Sequence, residues 1–478
     1  MTPLMSLRSS ENLPGPADSS EPIAEPTTIT TLVDVNSTYR QLYTEGEMSC
    51  LASDTTWITL DTEDAITALS DALCAEPDKV DDFPIRTLEV HVPSVSGDSL
   101  KALQELLAYL PLLTRLWMHH AEQLFVAHPL LAQIVSAGTS LTEVRFWDAG
   151  PTTHAVLSSM HARLRAVEVR GPPTPCTAMN LFLPSAATLV KIDIRSIALD
   201  VRERTLRFPR VQVLHVAFSG DVNLLDLGAY KYAFPHLREL RTTRALPIST
   251  PQDGHTVRER NVLSGAREPG WAALDGLEVP PPELWLLGVS CPTRTVRFDV
   301  DPGLPLFVLR QVLPPLRPRH LYLHFANAED AYRVVRDFAA LLAWSLPWPG
   351  VATLTLEVRL PAGKRDRCWV IVRLLKEHGA RNLFCTEMLT VRFVGVAASP
   401  QPKRVLTALW GAIWDAAAED LWMTCTMVRR VTLRLEVEAP QADGSTGRAV
   451  LYTARHCSDN GVPGDGGEAW AYVNPAEW

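Results

Sequence analysis

The sequence predicts an α/β solenoid, a horseshoe with a parallel β-sheet on its concave side and helices outside. Three observations carry this reading. A strand phrase of the form L-x-x-L-x-L recurs at nearly regular spacing, amphipathic helical stripes fill the intervals, and the chain is too long for one core. At 478 residues it must be several domains or an elongated array, and the recurrence selects the array.

Taken in order, residues 1–30 are rich in Pro, Ser, Thr and Glu with few large apolar side chains. Such a segment does not offset the entropy of its own ordering, so it is expected to be a flexible acidic tail. The repeats follow: Ile85/Leu88/Val90, Leu113/Leu116/Met118, Leu141/Val144/Phe146, Leu164/Val167/Val169, Leu189/Ile192/Ile194 and Val211/Leu214/Val216, with Leu237/Leu240 starting a seventh that breaks at Thr242. From Leu88 through Leu116, Val144, Val167, Ile192 and Leu214 to Leu240 the intervals are 28, 28, 23, 25, 22 and 26 residues. These fall in the range of leucine-rich repeats, which makes the predicted fold class a leucine-rich-repeat solenoid over residues 61–437.

The later members are Leu274/Leu277/Val279, Val296/Phe298, Leu321/Leu323, Val351/Leu354/Leu356, Met388/Val391/Phe393 and Val428/Val431/Leu433. Their spacing stretches, and the stretch from Ala245 to Gly270, with TPQDGHTVRER and SGAREPG, reads as a long exposed loop. Helices are expected at Leu100, Leu103, Leu106, Leu107 and Leu110 after the N-cap oxygens of Asp98-Ser99, and from Pro129 to Gly138. Longer stripes run over Tyr332, Val335, Phe338, Leu341 and Leu342, and over Val405, Leu409, Ile413 and Trp414. Residues 438–478 read as a mostly flexible tail, with a short strand at Val450, Leu451 and Tyr452.

Composition narrows the function classes. Residues 1–90 hold 17 Asp and Glu against 4 Lys and Arg, leaving 37 against 41 for the rest, so an acidic amino end precedes a nearly neutral body. Nucleic acid is not expected as a partner, because phosphate neutralisation needs clustered cations. The eight cysteines form no C-x-x-C pair, which argues against zinc fingers and redox motifs and for free thiols in a reducing compartment. The opening residues lack the apolar core of a signal peptide, and no later stretch is apolar enough to span a membrane. The expected location is intracellular, cytoplasmic or nuclear, without a membrane partner.

No nucleophile elbow, phosphate-binding loop, dinucleotide fingerprint or H-E-x-x-H motif occurs, so the chain is not expected to be an enzyme, and no cofactor or metal is assigned. His320 and His324 are four apart, but on a strand they would lie about 13 Å from one another, too far to share an ion. His119 and His120 should face opposite ways.

Alternation along each strand places the residues flanking the inward pair on the concave face. The candidate partner-binding residues are therefore Arg115, Trp117, His119, Arg145, Trp147, Glu168, Arg170, Asp193, Arg195, His215 and Arg241, with Thr87, Glu89 and His91 beside them. Tryptophan among arginines is the composition interface hot spots favour. The competing reading is that Arg145, Glu168, Arg170, Asp193 and Arg195 neutralise one another across strands while the tryptophans pack under other segments. A basic patch at Lys364, Arg365, Arg367, Arg373, Lys376 and Arg381 reads as a solvated face or a contact for an acidic partner.

The repeat run from about 85 to 435, and above all GWAALDGLEVPPPELWLLGVSCPTRTVRFDV at 270–300, resembles the leucine-rich-repeat bodies of fungal F-box-like proteins. Residues 31–60, TLVDVNSTYRQLYTEGEMSCLASDTTWITL, look like a remnant of that family's last F-box helix running into the first strand, with Val33, Val35, Tyr39 and Leu42 in helical register. The family's opening Leu-Pro-x-Glu helix has no counterpart here beyond Asn12-Leu13-Pro14-Gly15. The resemblance implies a protein substrate held on the concave face and docking on the Skp1 adaptor of a ubiquitin ligase. The alternative is a stand-alone repeat scaffold that does not bind Skp1.

Overall fold

The computed structural model describes residues 56–75, 85–110, 112–172, 174–201, 206–218, 225–244, 254–300, 306–326, 351–360, 386–396, 428–440 and 446–457, together with positions 331, 372–373, 417–419 and 423. All of these belong to one compact unit, Asp54–Trp478. The flexible-tail reading of residues 1–30 and the remnant helix before Thr56 lie outside the described residues. So do nearly all of the two long stripes near 332–342 and 405–414 and the basic patch except Arg373.

Each apolar phrase becomes a strand because its residues can be buried only by neighbours on both sides. The strands are β1 (Thr56–Leu60), β2 (Ile85–Val90), β3 (Arg115–Met118), β4 (Glu143–Phe146), β5 (Ala166–Val169), β6 (Thr174–Ala178), β7 (Lys191–Asp200) and β8 (Val213–Phe218). After them come β9 (Glu239–Arg244), β10 (Leu274–Glu278), β11 (Thr293–Val300), β12 (His320–Phe325), β13 (Thr353–Leu360), β14 (Met388–Val396), β15 (Arg430–Pro440) and β16 (Thr446–Cys457). One sheet runs from β1 to β16 in chain order, with β6 off this path beside β7. Every neighbouring pair from β1 to β15 is parallel, and β16 closes the series antiparallel to β15. The chain is thus α/β, with a long parallel sheet whose strands follow sequence order.

Register aligns the repeat. Leu88, Leu116, Val144 and Val167 pair in one row, and Val90, Met118, Phe146 and Val169 form the next; all are 1% exposed or less. Ile192, Leu214 and Leu240 continue the first row. The third apolar position of each phrase, such as Leu113, Leu141, Leu164 and Leu189, is buried as well.

The helices between strands are α1 (Glu63–Ala75), α2 (Gly97–Tyr109), α3 (Ala121–Ala127), α4 (Pro129–Ala137), α5 (Pro151–Ser159), α6 (Leu227–Ala233), α7 (Gly254–Arg267), α8 (Pro281–Leu287) and α9 (Leu306–Leu316), with a 3-10 turn at Met179–Ser185. They cover the apolar rows: Phe125 of α3 meets Phe146 of β4 edge-on at 5.6 Å. Pro129 is the first residue of α4 and Gly138 its cap, as the sequence predicts. α2 begins earlier than expected, with Ser96 rather than Asp98-Ser99 at its N-cap, and Glu63 of α1 accepts from the Ser96 amide and hydroxyl.

Two expectations need correction. The loop expected over 245–270 contains α7. Its sequence is polar, but Val257, Asn261 and Gly265 recur every four residues and are buried. Asn261 donates to the Leu286 carbonyl at 2.8 Å and Arg258 to that of Trp285, so α7 satisfies last-turn carbonyls of α8. Gly265 lets α7 approach α6, since a Cβ there would stand 2.5 Å from Leu227. At the other end, the short strand expected at 450–452 is the twelve-residue β16, paired with β15 along its length.

Candidate interaction surface

Opposite the apolar rows, the sheet presents polar rows, and the register fixes which side chains meet. Thr59, Glu89, Trp117, Arg145, Glu168, Asp193, His215 and Arg241 succeed one another on strands β1 to β5 and β7 to β9. Of the sequence-predicted residues, Arg115, Trp117, His119, Arg145, Trp147, Glu168 and Arg170 come together on β3 to β5 and the turns after them. Asp193 and His215 form a separate buried pair, Nδ1 to Oδ1 3.4 Å. Arg241 lies further along, exposed, against Glu239 and Glu278. The side chain of Arg195 is outside the described residues.

The expected charge neutralisation is present for Arg145, Glu168 and Arg170. Arg145 bonds Glu143 at 2.8 Å and lies 3.7 Å from Glu168, which Arg170 also contacts at 2.5 Å. Each guanidinium nevertheless also meets an aromatic face: Arg145 stands 3.9 Å from the Trp117 ring centre and Arg170 5.7 Å from that of Trp147. Trp117 packs edge-on to Trp57 at 5.0 Å and to Trp147 at 6.5 Å. Trp57 is 55% exposed, and the indole Nε1 atoms of Trp117 and Trp147 are buried without a hydrogen-bond acceptor. Arg115 has no ion-pair partner among the described residues. The result is a row of three tryptophans with interleaved arginines.

Beside Trp117 on the neighbouring strand, Glu89, only 8% exposed, receives two imidazoles. His91 Nε2 lies 2.8 Å and His119 Nε2 3.1 Å from the same Oε1. Burial holds the His119 imidazole below its ordinary range, against the hydrogen bond from Glu89, with His91 and His120 pushing the same way as burial. His120 does not simply face away from His119 on a strand. It takes a left-handed conformation as the cap of α3 and pairs with Asp148 at 3.0 Å.

A second cluster was not among the expected site residues. Glu357 of β13, fully buried, meets Arg392 of β14 at 3.1 Å and the Tyr322 hydroxyl of β12, while Arg392 also holds Glu436 of β15 at 2.7 Å. Burial and the Glu357 carboxylate push the Tyr322 phenol up to about 12. Tyr322 and Glu357 are 35 positions apart, and Arg392 and Glu436 are 44 apart, so only the lateral register of four strands reveals them. His320 and His324 sit on strand β12 as expected, and His324 pairs with Asp299 at 2.8 Å.

No family model matches the chain, and no curated protein is similar to it. Among the described residues no helix is long and apolar enough to cross a membrane.

Proposed function

We propose that this chain is a non-catalytic protein-protein interaction module, built as an irregular leucine-rich-repeat horseshoe, that serves as the substrate-recognition subunit of an SCF-type ubiquitin ligase. The observation that carries the binding reading is the row of Trp57, Trp117 and Trp147 with Arg145 and Arg170 on one sheet face. Large aromatics and arginine supply most of the energy in protein interfaces. The ligase assignment and an intracellular location rest on the family resemblance.

The proline-rich residues 1–30, standing where that family has apolar helices, favour a second reading, a stand-alone scaffold. The binding reading is tested by affinity purification of the full chain beside the variants Trp57→Ala and Trp147→Ala. Specific co-purifying proteins, lost from both variants while the variants remain folded, are expected. A set unchanged by either substitution contradicts a partner on this face.

A further inference from the structure

Glu89 is a buried carboxylate with no fixed cation beside it among the described residues. Its charged partners among the described residues are His91 and His119, with no Lys or Arg in reach. A buried carboxylate without a compensating positive charge is unfavourable. The two imidazoles come from residues that directly follow β2 and β3, held by backbone hydrogen bonds from His91 to Leu60 and from His119 to Val90, each 2.9 Å. The three donor atoms, two nitrogens and one oxygen, all lie within 4.8 Å of one another.

We propose that Glu89, His91 and His119 bind a divalent transition-metal ion of the zinc class. Two imidazole nitrogens and one carboxylate oxygen are a donor set such ions take, at about 2.0–2.2 Å, with a fourth position left to water. The surroundings fit that role. Asp61 stands 3.8 Å from His91 Nδ1, where it can orient the ring and raise its basicity, as carboxylates behind metal-bound histidines do. Trp147 packs on the His119 ring at 3.9 Å between centres, fixing it from the other side. The His91 side chain is 37% exposed, which gives an ion a path from solvent.

The rings now stack at 3.7 Å with their planes 28° apart, and the nitrogens meet the carboxylate directly. An ion would replace those hydrogen bonds, and the rings would swing apart so that both Nε2 lone pairs converge. Spacing along the chain hides the site, because it is neither a helical i, i+4 pair nor a C-x-x-C. It is assembled by two strands 28 residues out of phase.

The test uses the full chain without any polyhistidine tag, titrated with CoCl2 and then with ZnCl2. One equivalent of Co2+ should produce the visible absorption bands of a four-coordinate ion, and Zn2+ should abolish them. His91→Ala/His119→Ala should lose the bands. The nearly isosteric Glu89→Gln, which keeps the packing but removes the charge, should bind at least about tenfold more weakly. His324→Ala, altering the histidine paired with Asp299 on a distant strand, should titrate as the parent does. Absence of bands in the parent chain, or bands that survive in the folded double variant, would overturn the proposal.

Discussion

Glu122 shows how a single side chain ties one repeat to the next. Its carboxylate accepts from the Gly150, Thr152 and Thr153 amides and the Thr153 hydroxyl at 2.8–3.0 Å. It thereby caps α5, whose own N-cap, Gly150, has no side chain to offer. Gly150 lets the carboxylate come close, because a Cβ there would stand 2.6 Å from the Glu122 carboxyl carbon. Burial pushes this carboxyl up, but the amide and hydroxyl donors outweigh it and hold it below the ordinary 4.5. A depressed folded-state value means that the stabilisation is complete above the unfolded value and is lost as pH falls through the folded one. Glu122→Ala should therefore lower stability by about 1–2 kcal/mol at neutral pH. In urea titrations the gap from the parent should narrow as the pH drops below 4.5, and a gap independent of pH would contradict the capping role.

At the scale of the strand–helix unit, the apolar positions dominate. Leu116 and Ile192 are completely buried in the row that runs between sheet and helices, so Leu116→Ala or Ile192→Ala should destabilise by about 2–5 kcal/mol. Trp57→Ala, on the opposite face and largely exposed, should change the denaturation midpoint little. Equal effects from the two kinds of substitution would mean that the faces are misassigned. These rows were legible because burial between layers imposes one period on the sequence at Leu88, Leu116 and Val144. α7 was not, since its partners are carbonyls of α8 and the closely approaching Leu227 side chain of α6, which accept polar and small residues that look like a loop. The polar face was legible position by position, as at Trp117 and Trp147, but not as clusters. Which of Glu89, His91 and His119, or of Tyr322, Glu357 and Arg392, touch is decided by register between strands, a relation that no local pattern encodes.

Over the whole described unit, strands pair with their neighbours in sequence except that β5 pairs with β7 and leaves β6 off the path, so stability is expected to behave as a sum of units and interfaces. β16 is the antiparallel exception. It covers the edge of β15, which would otherwise offer a row of unpaired backbone groups to another chain. Removing residues 446–478 should leave a protein that self-associates in light scattering at concentrations where the full chain does not; a monodisperse truncation would show that the edge needs no cover. The ubiquitin-ligase reading also belongs at this scale, because it joins the sheet face to the segment before β1. Its most direct measurement is co-purification of the full chain with Skp1, beside a variant lacking residues 1–50. The account predicts that the full chain retains Skp1 and the shortened one does not. Failure of the full chain to retain Skp1 would contradict it.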